Sequence, residues 1–232
     1  MPPEPRPQPQ PDPRRESRPE FRPESRPEPP PAGPSPSGSA SSEDGLRDRL
    51  VRAGVELVDA EGVPALSLRE IARRAGVSHG APRRHFPTHL DLLSAIAREG
   101  FRELAARTAA VDDEGQQART RIEALARGYL DFAHGRPGMY ELMFRHDLLE
   151  SGRLGLRDTS LPLFARLAEL LALARPDIVD PVAAAGALWA NLHGIVQLWR
   201  WGSLRLATGA DDVAPLLTAA LDAHLGPAED RR

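Results

Sequence analysis

Apolar positions separate the chain into two materials. Residues 1 to 44 carry no helical or strand period; from Leu46 onward apolar residues recur every three to four positions. Leu46, Leu50, Ala53, Leu57 and Val58 share one face of a first helix. Gly62 within Glu61-Gly62-Val63-Pro64 is the expected stop. Ser67-Leu68-Arg69-Glu70 reads as a capping box opening a second helix, with Leu68, Ile71, Ala72 and Ala75 inward. Gly76 supplies a positive-φ turn. A third, short helix follows to Phe86, with Ser78 as its candidate cap. Thr88-His89-Leu90-Asp91 is a second capping-box pattern and opens a long fourth helix striped by Leu92, Leu93, Ile96, Phe101 and Leu104.

The pattern stays helical to the end. Helices are expected over Gln116 to His134, Met139 to Leu149 and Leu161 to Ala174. A long one should run from Asp180-Pro181 to about Leu206, and a last one from Asp211-Asp212 to about Leu225. No segment alternates with period two, so the fold class is all-α.

Pro82 constrains the third helix. With Ser78 as cap it would be the fourth helical residue, where its ring crowds the Ser78 carbonyl. A helix starting near Gly80 or Ala81 would instead put Pro82 in the first turn, where it is tolerated. A short, late-starting third helix is therefore expected.

Composition narrows the classes. The 232 residues include no Cys, which removes disulfides, thiolate metal sites and a cysteine nucleophile. The seven His are scattered without a metal-ligand spacing, so no metal or cofactor is expected. The longest apolar run, Val182 to Ala190, is too short to span a bilayer, and the Pro-rich N-terminus has no signal-peptide core. A cytoplasmic protein without a membrane partner is the expectation. Net charge is −3, so nucleic-acid binding requires a local basic face. All thirty Lys/Arg-type residues are Arg. Residues 1–42, with a tandem Arg-Pro-Glu repeat, read as a disordered, polyproline-rich tail; a partner-docking or phosphate-binding segment is the functional alternative. The rest divides into 43–103, 104–226 and a flexible 227–232.

Gly76-Val77-Ser78-His79-Gly80 poses the functional question. It matches the G-x-S-x-G of a hydrolase nucleophile elbow, which needs a strand before it. Residues 69 to 75 have helical period instead, so no enzyme is expected. The same stretch reads as the turn and second helix of a helix-turn-helix. Ala72 permits close helix approach, Gly76 turns the chain, Val77 plugs the core and Phe86 anchors the end. His79, Gly80, Arg83 and Arg84 are left exposed, the small ones admitting backbone to a groove and the Arg able to meet guanine or phosphate. Arg69, Arg73, Arg74 and His89 surround them.

On these residues the sequence resembles the TetR family of transcriptional regulators over residues 43 to 103. The match rests on the helix at Gly45 to Ala60, Ser67 to Ser78 as helix and turn, His85-Phe86, and Asp91-Leu92-Leu93. Arg83 stands where members often have Tyr, and Thr88-His89 where they often have Lys or Arg. The resemblance implies DNA contact by Ser67, Arg69, Ser78, His79, Gly80, Arg83, Arg84, His85 and His89. Trp189 with His193-Gly194, and Arg136 to Tyr140, resemble one C-terminal subfamily marked by Trp and His-Gly. It implies a homodimer through the last two long helices and an unknown small-molecule effector in a helical cavity. Small residues from Val182 to Ala187, with Leu188, Val196 and Leu221 nearby, fit the first. Tyr129, Phe132, Met139, Tyr140, Met143, Phe144, Trp189 and His193 are candidate pocket residues, although aromatics at helical spacing also make plain core. The expected function is a ligand-released repressor binding a double-stranded inverted-repeat operator. The rival is a helical small-molecule or protein-binding module that has lost DNA binding through Pro82.

Overall fold

The computed structural model describes residues 38–151 and 155–227. Eleven α-helices and no strand occur among them: α1 Gly38–Glu61, α2 Leu68–Arg74, α3 Ala81–His85, α4 His89–Val111, α5 Ala118–Gly135, α6 Pro137–Met143, α7 His146–Ser151, α8 Leu156–Ala174, α9 Pro181–Arg200, α10 Ser203–Thr208 and α11 Ala214–Leu225. A 3-10 turn at Val63–Ala65 links α1 to α2. Residues 1–37 and 228–232, hence most of the expected tail and nearly all of the expected C-terminus, lie outside the described residues.

Helix α1 begins at Gly38, within the stretch assigned to the tail. Pro36 is the last proline before Pro64, so no ring blocks helix after it. The helix expected over Met139 to Leu149 is two, α6 and α7, interrupted at Phe144-Arg145. The one expected to reach Leu206 stops at Arg200, because Gly202 sits at φ 76° and turns the chain into α10. Helix α8 starts earlier than expected, at Leu156, and carries Pro162 within it.

Helix α4 packs against α1 on one side and α5, α6 and α8 on the other. It runs unbroken through the expected boundary at residues 103/104. Both halves thus share a rigid rod. Its start is fixed by a full capping box: Thr88 Oγ1 accepts from the Asp91 N–H at 3.1 Å, and Asp91 Oδ2 accepts from the Thr88 N–H at 2.9 Å. A Cβ on Gly54 would collide with Ile96, so α1 lies close against α4 there.

Candidate DNA interface and effector cavity

The recognition unit is built from α1, α2 and α3. Ser67 caps α2 by accepting from the Glu70 N–H at 3.2 Å. The reciprocal half of the expected capping box is absent: the Ser67 N–H donates to the Ala65 carbonyl, while Arg73 donates to the Glu70 carboxylate at 2.9 Å and 2.5 Å. That pairing holds the Glu70 carboxyl below the usual carboxylate range. Gly76 turns at φ 68°, and Arg49 of α1 donates to the Ala75 carbonyl at 2.7 Å, satisfying the end of α2. Ile71, Ala72 and Phe86 are buried, and Val77 packs against the core they join. Arg47 places its guanidinium 5.2 Å from the Phe86 ring centroid.

Helix α3 starts at Ala81 and puts Pro82 in its first turn, as the steric argument requires. Ser78 is not its side-chain cap; Gly80 holds that position, and Ser78 contributes only its carbonyl, accepting from the Ala81 N–H at 3.0 Å. The hydrolase reading fails here as well, since the helix α2 precedes Ser78.

Ser67, Arg69, Ser78, His79, Gly80, Arg83, Arg84 and His89 are all exposed, and His85 is half-buried. The basic surface is smaller than its Arg count implies. Arg73 is paired with Glu70 and Arg74 with Glu61, at 2.5 Å and 2.9 Å. Arg69, Arg83 and Arg84 have no ion pair among the described residues, so their charge stays available. Arg47 and Arg49, which brace the motif from α1, were missed by sequence reasoning, because partners 26 or more residues away leave no local signal.

The other half holds a cavity of about 620 Å³ between α4, α5, α8 and α9, with Phe144 beside it. Its volume lies within the usual range of small-molecule sites, about 300 to 1,000 Å³. Of the expected pocket residues, Tyr129, Phe144 and Trp189 line it. Phe132, Met139, Tyr140 and Met143 do not: each is fully buried packing. Met139 and Met143 fill the space above Gly100, where a Cβ would strike them, and Arg107 covers the Phe132 ring. His193 stands behind the wall. Its Nδ1 lies 2.6 Å from the Tyr140 hydroxyl and 3.0 Å from that of Tyr129, and the two hydroxyls are 2.8 Å apart. Burial lowers the His193 pKa, keeping the ring neutral, and pushes the Tyr129 hydroxyl up to about 12. Both tyrosines therefore stay protonated and serve as hydrogen-bonding core.

Much of the cavity wall comes from α8, through residues such as Leu163, Phe164 and Leu167, and from Thr108 of α4 and Asp112 just past it. These were not anticipated. Leucines on an amphipathic helix read as core, and only the fold shows which of them face open space.

Helix α6 joins the halves. Arg136 at its start pairs with Asp59 of α1 and with Glu103 of α4. Gly138 lies so close to α1 that a Cβ would strike the Val58 carbonyl oxygen. Phe144, just past α6, faces the cavity.

Two aspects of the expected dimer surface differ. Leu188, Val196 and Leu221 are buried within the chain rather than presented. Val182, Trp189 and Leu198 of α9 and Trp201 just past it are large exposed apolar groups, with Ala183, Ala187 and Ala190 exposed among them. No helix among the described residues is long and apolar enough to cross a membrane, and no His/Asp/Glu group among them could hold a metal ion.

Comparison with known proteins agrees with this architecture. Residues 50–96 match the family model described as bacterial regulatory proteins, tetR family. Residues 122–224 match that of the tetracyclin repressor-like C-terminal domain. The nucleoid occlusion factor SlmA of Aliivibrio fischeri is 28% identical over 113 residues, 48% of this chain and 58% of that protein. The match thus spans less than two thirds of this relative. The HTH-type transcriptional regulator TtgW of Pseudomonas putida is 44% identical over 50 residues, covering 22% of this chain and 37% of its own. A Rhodococcus sp. RHA1 protein of unknown function superposes with TM-score 0.67 at 29% identity, over 79% of this chain and 96% of the other. The multidrug binding protein EbrR, solved with imidazole, superposes with TM-score 0.52 at 28% identity, over 80% and 98% of the two chains. With a helix-turn-helix at one end of α4, a helical C-terminal half at the other, and both halves matched by models of one family, the chain belongs to the TetR family of DNA-binding transcriptional regulators.

Proposed function

We propose that this regulator acts as a homodimeric, ligand-released repressor in the cytoplasm. The observation that carries the DNA reading is the group of cations Arg69, Arg83 and Arg84, which have no ion pair among the described residues, beside the exposed, small start of α3. Ser67, Ser78, His79, Gly80, His85 and His89 complete the proposed surface. Arg83 is the proposed base or phosphate contact, and Ser67 and His89 flank it. Two copies of α3 would enter successive major grooves of an inverted repeat, about 34 to 36 Å apart. The exposed apolar strip Val182, Leu198 and Trp201 with the small residues of α9 supports self-association. The proposed placement of the C-terminal half in the Trp and His-Gly subfamily rests on Trp189 and His193-Gly194.

The cavity between α4, α5, α8 and α9 is the proposed effector site. A molecule there touches Phe144 and α4 directly. Helix α6 leaves α1 no slack at Gly138, and Arg136 ties it to α1 and α4. An effector that binds best with α6 or α4 displaced would favour a dimer with the wrong spacing and so weaken DNA binding. Selection of bound fragments from the source genome, with sedimentation of the free protein, tests the proposal. An inverted repeat bound by a two-chain species is expected. A monomer that enriches no sequence would instead support the rival binding module.

A further inference from the structure

The cavity is apolar along most of its length, with Leu104, Ile122, Leu125, Phe144, Phe164 and Leu167 among its walls. Charge is concentrated at one end. Asp112, the residue just past α4, lines the cavity there with Arg166 of α8. Asp112 Oδ1 accepts from Arg121 Nε at 2.6 Å and Oδ2 from Arg166 Nε at 2.7 Å. The Arg121 guanidinium holds the Asp112 carboxyl below the usual carboxylate range, with Arg166 adding to it.

Donors outnumber acceptors in this cluster. Two guanidiniums face one carboxylate whose two oxygens are both engaged. Arg121 is 7% exposed, and its Nη2 has no hydrogen-bond partner among the described residues. Arg166 also donates from Nη1 to Glu169 at 3.0 Å, but Glu169 faces solvent. Its Nη2 lies 3.9 Å from Glu114, too far for a hydrogen bond, and that side chain is 87% exposed. A buried guanidinium donor left unmatched is costly. Arg121 does not itself line the cavity; Arg166 does, and its Nη2, with no carboxylate within hydrogen-bond reach among the described residues, is the donor an anion arriving there would meet. Thr159 also lines the cavity and lies about 10 Å along α8 from Arg166 at the usual helical rise. The α8 side of the cavity wall thus spans about 10 Å.

We propose that the effector is a monoanionic amphiphile: an apolar body whose carboxylate head is taken by Arg166, with Arg121 behind it. The proposal rests on reading this cavity as the effector site. A charge-assisted Arg–carboxylate hydrogen bond in a mostly apolar cavity gives both affinity and orientation.

Dodecanoate, dodecanol and dodecylamine, each below its micellar concentration, are titrated into the full chain, with Trp fluorescence as readout. Dodecanoate should bind about tenfold more tightly than either of the others. Arg166→Gln should erase that preference and leave dodecanol binding within about twofold. Asp112→Asn removes the competing negative charge and one of the two acceptor oxygens, and should strengthen dodecanoate binding. A merely structural role for the cluster would weaken every ligand in both variants. Equal affinity for the three heads, a preference for the amine, or loss of dodecanoate in Asp112→Asn overturns the anionic assignment while the cavity remains an effector site. Binding of none of the three overturns the cavity reading as well.

Discussion

The two ends of α4 handle arginine in opposite ways. At the α3 end, Arg69, Arg83 and Arg84 stand exposed with no ion pair among the described residues. At the other end, Arg121 and Arg166 are drawn against Asp112 on the margin of an apolar cavity. An exposed guanidinium keeps its hydration until a phosphate or base edge replaces water, so it suits a salt-dependent partner. A buried one requires its matching groups in place and is selective about what else approaches. On the proposed reading, one residue type would serve nucleic-acid recognition at one end and small-molecule selection at the other, set apart by its ion pairing.

The largest effect belongs to the packing behind the cavity. Phe132→Ala should destabilise the fold by about 3 to 5 kcal/mol in denaturant titration, because Phe132 is fully buried. A loss under 1 kcal/mol would mean that Phe132 faces space after all. Next, Arg83→Ala should weaken specific DNA binding by about 1 to 3 kcal/mol if the side chain reads a base. If it meets only phosphate, all sequences should lose similarly and the salt slope should shrink. Its melting temperature should be that of the parent, and unchanged DNA binding would remove Arg83 from the interface. Thr88→Ala should cost about 0.5 to 2 kcal/mol of stability by opening the box that starts α4.

The smallest effect is electrostatic. Burial depresses the His193 pKa, so the folded state holds this ring neutral at pH values where the unfolded chain protonates it. Stability is full above the ordinary histidine pKa and falls as pH drops below about 6.5 toward the lowered value. His224 is depressed for the same reason and contributes in the same direction. His193→Gln should flatten part of the fall in melting temperature between pH 7 and pH 5, leaving the share due to His224. An unchanged pH dependence would contradict the neutral ring beside Tyr129 and Tyr140.

The sequence was most informative where structure is local. The Thr88–Asp91 box, the turn at Gly76, the inward faces of α1 and α4, and the late start of α3 follow from neighbours within four residues. Ser78 was misjudged as a cap because Pro82 shifts the helix start to Ala81, and Gly80 rather than Ser78 precedes it. Non-local features were hidden. Tyr129, Phe144 and Trp189 line the cavity, whereas Phe132, Met139, Tyr140 and Met143 do not, and nothing in their spacing separates the groups. The Arg121–Asp112–Arg166 cluster joins positions up to 54 residues apart, and no motif announces it. Leu188, Val196 and Leu221 fit an interface by sequence but bury themselves within one chain.

The account turns on whether α3 reads sequence. Fluorescence-anisotropy titration of the full chain, at one physiological salt concentration, against a selected genomic site and a scrambled duplex tests that most directly. Specific binding at least about 10³-fold tighter than to the scrambled duplex is the predicted result. Equal affinity for both, at a site recovered by the protein's own selection, would contradict it.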